Sequence, residues 1–219
     1  MLFYHIDHGD HLSAGMIIAP SFIHLAGVDW SLPVCASVRE TFNDGLSRYG
    51  TRTLLETNSS DCLVTTAFDF ILETVRLRVF PALPSRLSSF FGMRDLSSSF
   101  DKWKGRFEKD VATFRAFECE SDIVYSADAS FLDYQGTGEP YRENPLRAEQ
   151  PSDKAPFPLS FPAFQVHAAR LYWKSCVPLT AAGYRQASSD TAPAQCNPCA
   201  LEELLVPGHV RVLREVPLP

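Results

Sequence analysis

The stretch Asp61–Gly92, DCLVTTAFDFILETVRLRVFPALPSRLSSFFG, decides the fold class. From about Asp61 to Phe80 the apolar residues Phe68, Ile71, Leu72, Val75 and Val79 recur at helical spacing, with Asp69, Glu73 and Arg76 on the opposite side, which predicts an amphipathic helix. Pro81 and Pro84 stop that helix. Leu87, Ser89 and Phe91 then alternate with Arg86, Ser88 and Phe90 up to Gly92, which predicts a strand over Ser85–Phe91 with one polar face. A helix, a proline stop and a strand in direct succession indicate α+β.

Working outward, Asp95 or a following serine caps a second helix with Phe100, Trp103 and Phe107 on one face. Strands are expected at about Thr113–Glu120, Ile123–Ser126 and Ala129–Leu132. Phe164, His167, Ala168, Leu171 and Tyr172 mark a helix from near Pro162 to near Cys176, followed by a loop over Val177–Ala200. The chain closes with ELLV, a Pro207-Gly208 turn and HVRVLREV, read as a terminal hairpin. At the other end, LFYHI is a short buried strand ended by the polar cluster DHGDH. Two irregular insertions interrupt the pattern. Residues 29–60 read as mostly loop, with only Val34–Phe42 able to form a short helix, and residues 134–160 carry five prolines among polar residues. The expected whole is one domain over residues 1–219, with helices between the strands of a mixed sheet.

Its 219 residues suit one large domain, and 45% hydrophobic residues, 16 of the residues being Phe, exclude wholesale disorder. Twenty basic against 26 acidic residues give a net charge of −6 with no Lys/Arg cluster, so a nucleic-acid partner lacks an electrostatic footprint and a basic or neutral partner fits better. No window reaches the ~18 continuous apolar residues of a membrane span, since Ala14–Val28 is broken by Pro20, Ser21 and His24. A soluble chain is expected. MLFYHIDHGDH lacks the basic region and cleavage site of a secretory signal. The six cysteines, at 35, 62, 119, 176, 196 and 199, sit mostly in apolar segments and read as reduced, in a cytosol.

Familiar site motifs do not account for this chain. Cys196 and Cys199 form CNPC without the second ligand pair that zinc needs, so no metal is expected. There is no G-x-S-x-G elbow, phosphate loop or G-x-G-x-x-G. What remains is a distributed pattern: Tyr4-His5 on the first strand, Pro84 to Phe90 in the middle, and Glu203 opening the penultimate strand. Taken singly, His5 reads as a core histidine, Ser88 and Ser89 as strand filler, and Glu203 as a solvated edge residue.

In this order the segments resemble the ADP-ribosyltransferase superfamily, in its bacterial branch. FYHI resembles that superfamily's first motif. RLRVFPALPSRLSSFFGM, FRAFECE, ASFLD, AARLYW and LEELLVPGHVRVL continue the same order, from Leu2 to Val216. The resemblance implies a compact, two-lobed mixed sheet that splits NAD, the consumed co-substrate. Breaking the nicotinamide–ribose bond builds positive charge on the sugar, which a carboxylate beside its hydroxyls stabilises. The resemblance makes Glu203 that carboxylate, or Glu202 if the register is shifted by one. It further implies His5 on a ribose hydroxyl or the dinucleotide backbone, Arg86 on the pyrophosphate, Ser88 supporting Glu203 or the ribose, and Tyr4, Phe90 and Phe91 stacking on nicotinamide.

Arginine-modifying members carry E-x-E before the catalytic strand, whereas Leu201 stands two before Glu203, and Ala200 two before Glu202. The expected acceptor is therefore a Ser or Thr hydroxyl on a basic-faced protein, as in secreted bacterial effectors that modify host ubiquitin in the host cytosol. Glu202 is a candidate to take the hydroxyl proton. A noncatalytic binding module on the same fold and a nucleic-acid-directed transferase are the alternatives.

Overall fold

A computed structural model describes residues 1–9, 11–21, 38–55, 63–104, 114–132, 161–179 and 201–219. Its elements follow in the order β1 (Leu2–Asp7), β2 (Ile17–Ile18), α1 (Arg48–Leu55), α2 (Leu63–Val79), a 3-10 turn (Arg86–Ser88), β3 (Ser89–Gly92), α3 (Leu96–Lys104), β4 (Arg115–Glu120), β5 (Val124–Asp128), a second 3-10 turn (Ala129–Leu132), α4 (Phe161–Ser175), β6 (Val177–Leu179), β7 (Glu202–Pro207) and β8 (Val210–Val216). The class is α+β. In place of one mixed sheet there are two four-stranded sheets, ordered β1-β4-β8-β2 and β3-β7-β5-β6, and every described pairing is antiparallel. The sheets meet where the backbones of Tyr4 and Met93 exchange two hydrogen bonds of 2.8 Å.

Period-two alternation builds the core between the sheets. Phe3 from β1, Phe117 and Cys119 from β4, Val124 from β5, Leu204 and Val206 from β7 and Val210 and Val212 from β8 pack together there. Helices cover the outer faces. Phe68, Leu72 and Val75 of α2 and Ala168, Ala169, Tyr172 and Trp173 of α4 pack on Leu205 and Ala127. Leu96 and Phe100 of α3 pack on Ile6 and Ala116.

Several expectations change. The segment 85–91 is a 3-10 turn followed by a shorter strand, because Ser85 caps the turn through its hydroxyl to the Leu87 N–H. Ala129–Leu132 is likewise a 3-10 turn rather than a strand, and Val177–Leu179 a strand rather than loop. Helix α1 lies within a segment read as mostly loop, while the helical residues 38–41 fall inside the short helix expected over Val34–Phe42. The terminal pair is no hairpin: β7 belongs to one sheet and β8 to the other, so the chain turns a corner at Gly208, whose φ of 83° suits glycine. Both strands are apolar on the face toward the intersheet core, which one flat ladder would not require. The irregular segment 134–160 and the CNPC pair lie outside the described residues.

The polar side of α2 departs most from its pattern. An amphipathic helix should turn Asp69, Glu73 and Arg76 to water, yet all three are buried, while Phe70 and Leu77 are exposed. Partners explain the inversion. Arg76 donates to Glu73 Oε1 at 3.0 and 2.6 Å and to the Leu83 carbonyl at 2.9 Å, and the Ser85 hydroxyl donates to Glu73 Oε2 at 2.9 Å.

Helix α1 is seated against the first 3-10 turn through Gly50. A Cβ there would lie 1.9 Å from the Leu87 carbonyl oxygen, a backbone atom that cannot rotate away. Gly50→Ala should therefore cost about 1–3 kcal/mol in denaturant unfolding, despite alanine's better helix propensity. A gain in stability would show that this contact yields without cost.

Candidate functional site

Neighbouring residues of a strand point to opposite faces, so Glu202 and Glu203 cannot share a site. Register fixes which is which. Phe91 pairs with Leu205, and Phe90 with Val206. Glu203 therefore shares the helix-covered face with Leu205 and Phe91, and Glu202 shares the intersheet face with Leu204, Val206 and Phe90.

Glu203 is the centre of a buried network. The Arg86 guanidinium donates to its two oxygens from Nε at 3.3 Å and Nη2 at 3.0 Å, and from Nη1 to Asp69 at 2.9 Å. The Tyr172 hydroxyl donates to Glu203 Oε2 at 2.6 Å, and the Tyr49 hydroxyl donates to Asp69. Arg86 also lies over the rings of Phe91, Tyr172 and Tyr49, at 5.1, 5.5 and 5.6 Å from their centroids. The side chains of Arg86, Glu203 and Asp69 are only 9%, 5% and 2% exposed. Burial opposes the charge of Arg86, but Glu203 and its neighbours hold it protonated well above the ordinary range. Burial raises the Asp69 carboxyl, against the pull of Arg86.

Glu202 has a different setting. Arg94 donates to its two oxygens at 3.1 and 2.5 Å, and the Ser126 hydroxyl donates to Oε1 at 2.6 Å. Trp103 Nε1 donates to its backbone carbonyl at 3.1 Å. The Arg94 and Glu202 side chains are 32% and 21% exposed. A half-buried carboxylate, oriented by a hydroxyl and balanced by a half-exposed arginine, can stabilise a developing positive charge once its counter-ion moves.

The other candidates separate in the same way. On β1, His5 shares the intersheet face with Phe3, and its ring lies 4.2 Å from that of Phe90. Its Nδ1 is 2.8 Å from the Phe91 carbonyl oxygen, which can only accept, so Nδ1 carries the proton. This bond takes a carbonyl that the next step of pairing beyond Tyr4 and Met93 would have used, and the two sheets part there. Tyr4 faces the opposite side, among Met93 and the residues of α3. Phe91 belongs to the Arg86 cage. The Ser88 hydroxyl donates to the Gly45 carbonyl at 2.7 Å, away from both glutamates. Thus the structure brings Arg86, Phe91 and Glu203 together on one face and His5 and Phe90 onto the face of Glu202. A cavity of about 280 Å³ lined by Glu120, Asp122, His209 and Arg211 lies near the Gly208 corner, at the other end of β7 from Glu202. Among the described residues no group of three His, Cys, Asp or Glu could hold a metal ion, and no helix is long and apolar enough to cross a membrane.

A family model, DUF2441, described as a protein of unknown function, matches residues 39–178, more than half of the chain. The chain belongs to the DUF2441 family. No curated protein sequence matches it. The DUF2441 segment contains Tyr49, Asp69, Arg86, Arg94, Ser126 and Tyr172, while His5, Glu202 and Glu203 come from outside it.

Sequence reasoning did not single out Tyr49, Asp69, Arg94, Ser126 or Tyr172. For Asp69 a signal existed: it stands four residues before Glu73 and seven before Arg76 on one helical stripe, a row of charges equally able to pair internally. Arg94 and Ser126 offered none, because only strand register brings them to Glu202.

Removing Arg86 would leave two buried carboxylates facing each other. Arg86→Met should cost about 3–5 kcal/mol in denaturant unfolding; a loss under ~1 kcal/mol would mean the network contributes little to the fold.

His5 makes stability depend on pH. Burial lowers its imidazole from 6.5 to about 4, partly offset by the bond to the Phe91 carbonyl. The unfolded chain therefore binds a proton that the folded chain refuses between those values, and the His5 contribution is present above pH 6.5 and lost as pH falls toward 4. Melting temperatures of the wild type should drop more across this window than those of His5→Gln. Parallel curves would contradict the assignment.

Proposed function

We propose that this chain is an NAD-consuming ADP-ribosyltransferase that uses Glu202 as the carboxylate beside the sugar. The observation that supports the reading is the adjacency of three segments distant in sequence: β1 meets the residue after β3 through the bridge of Tyr4 and Met93, β3 pairs with β7, and the half-buried Glu202 lies on the face shared by His5 and Phe90. Of the two neighbouring glutamates, Glu203 is committed to Arg86 and Tyr172, which leaves Glu202 able to reach a ligand.

In the proposed reaction the bond between nicotinamide nitrogen and ribose breaks, nicotinamide leaves with the bonding pair, and the sugar cation forms beside Glu202. The acceptor oxygen then bonds to that carbon and its proton passes to water. Ala200 stands two before Glu202, so a second carboxylate to hold a guanidinium is missing at that position, and a Ser or Thr hydroxyl is the proposed acceptor. The net charge of −6 favours a protein with a basic face, and a bacterial effector acting on host ubiquitin stays within this proposal. A noncatalytic module is the second reading, favoured by the complete pairing of both glutamates.

Turnover of NAD by paired variants separates these readings. Glu202→Gln should lower kcat by roughly 10²–10³-fold while melting near the wild type, and Glu203→Gln should instead lose stability and keep turnover at temperatures where it is folded. A fully active Glu202→Gln refutes the assignment. Wild-type protein with no nicotinamide release supports the noncatalytic module.

A further inference from the structure

The charges around Arg86 do not balance. One guanidinium stands between two carboxyls, Asp69 and Glu203, whose side chains are 2% and 5% exposed. Among the described residues no second cation joins them. Tyr49 of α1 and Tyr172 of α4 bring phenols that burial pushes up, so both stay neutral, and burial likewise pushes the thiol of Cys176, just beyond α4, up to about 12. One turn along α2, Arg76 is paired with Glu73, and Arg48 and Arg52 of α1 are exposed. With both carboxyls ionised, the cluster would keep an uncompensated negative charge out of water, a costly arrangement. One proton removes it.

We propose that Asp69 takes up that proton and makes the cluster a pH-sensitive switch, charge-balanced when Asp69 is protonated and negatively charged when it is not. This goes beyond the NAD reading and does not rest on it. Hydrogen bonds decide which carboxyl is protonated. Glu203 accepts from Arg86 Nε at 3.3 Å and Nη2 at 3.0 Å and from the Tyr172 hydroxyl at 2.6 Å, a set that favours its ionised form. Asp69 accepts from Arg86 Nη1 at 2.9 Å and from Tyr49. A protonated Asp69 keeps both contacts, because Oδ1 still accepts from Arg86 while Oδ2, now carrying the proton, donates to the Tyr49 oxygen. Burial is the largest influence on the Asp69 carboxyl and raises it; Arg86 and the Tyr49 hydroxyl pull it down, and Glu203 pushes it up, with a net rise from 3.8. The folded chain therefore holds a proton that the unfolded chain releases. The Asp69 contribution to stability is complete below 3.8 and is lost as pH rises through the raised value, the opposite sign to His5.

Asp69→Asn makes the protonated form permanent, its side-chain oxygen meeting Arg86 and its amide N–H meeting the Tyr49 oxygen. Melting temperatures of the wild type and Asp69→Asn, followed from about pH 8 to about pH 5, isolate the switch, since His5 contributes equally to both. The wild type should gain roughly 2–4 °C on the variant as pH falls, the shift of about one proton's linkage in a chain of this length. A carboxylate kept ionised by Arg86 would reverse the sign, and a wild type that loses ground to Asp69→Asn, or parallel curves, overturns the switch. Infrared spectra read the proton directly even if the variant fails to fold. The C=O stretch of a buried carboxylic acid should be present in the folded wild type near pH ~5 and fade as pH rises; its absence throughout overturns the switch. Tyr49→Phe, which removes a donor that favours the ionised form, should move that fading to higher pH, and an unmoved midpoint would assign the band to another group and overturn the switch.

Discussion

One guanidinium holds the helical layer to the second sheet. Arg86 leaves the 3-10 turn before β3, reaches Asp69 on α2 and grips both oxygens of Glu203 at the head of β7, with Tyr49 of α1 and Tyr172 of α4 completing the shell. Five elements therefore depend on one charge. A strand's faces alternate, so anchoring Glu203 to the helices obliges Glu202 to point between the sheets. A one-residue slip of β7 would exchange the two glutamates and put Leu204 and Val206 where Leu205 now packs.

The division of labour between the two carboxylates follows from their surroundings. Glu203 is surrounded by rings and fixed donors, a setting that punishes loss of any partner and offers nothing to a ligand. Glu202 accepts from the Ser126 hydroxyl and from Arg94 at a partly exposed position. The DUF2441 match ends before β7 but, among the described residues, includes each side chain that binds either glutamate.

Much of the fold was legible from periodicity. The 3.6-residue rhythm of Phe68, Leu72 and Val75 marked α2, and alternation marked the strands at 2–7, 115–120 and 202–216. Sheet membership was not legible, because Pro207-Gly208 suits a hairpin and a corner equally well, and only the apolar inner faces of both β7 and β8 decide between them. At the site, Arg86 was expected to meet a ligand, and the structure places it between Asp69 and Glu203. A lone arginine on an expected strand looks available to a ligand until Asp69, on a helix side expected to face water, is found beneath it. Long-range partners of this kind, such as Ser126 to Glu202 across two strands, leave no mark at short spacing.

The two glutamates have opposite kinds of partner, one caged and one partly exposed, and double-mutant cycles on unfolding free energy measure this directly. Cycles of Arg86 with Glu203 and of Arg94 with Glu202 should give coupling energies of about 2–3 kcal/mol for the first pair and under about 1 kcal/mol for the second. A strongly coupled Arg94–Glu202 pair beside a weakly coupled Arg86–Glu203 pair would contradict the account, since Glu202 would then be the anchor and Glu203 the free carboxylate.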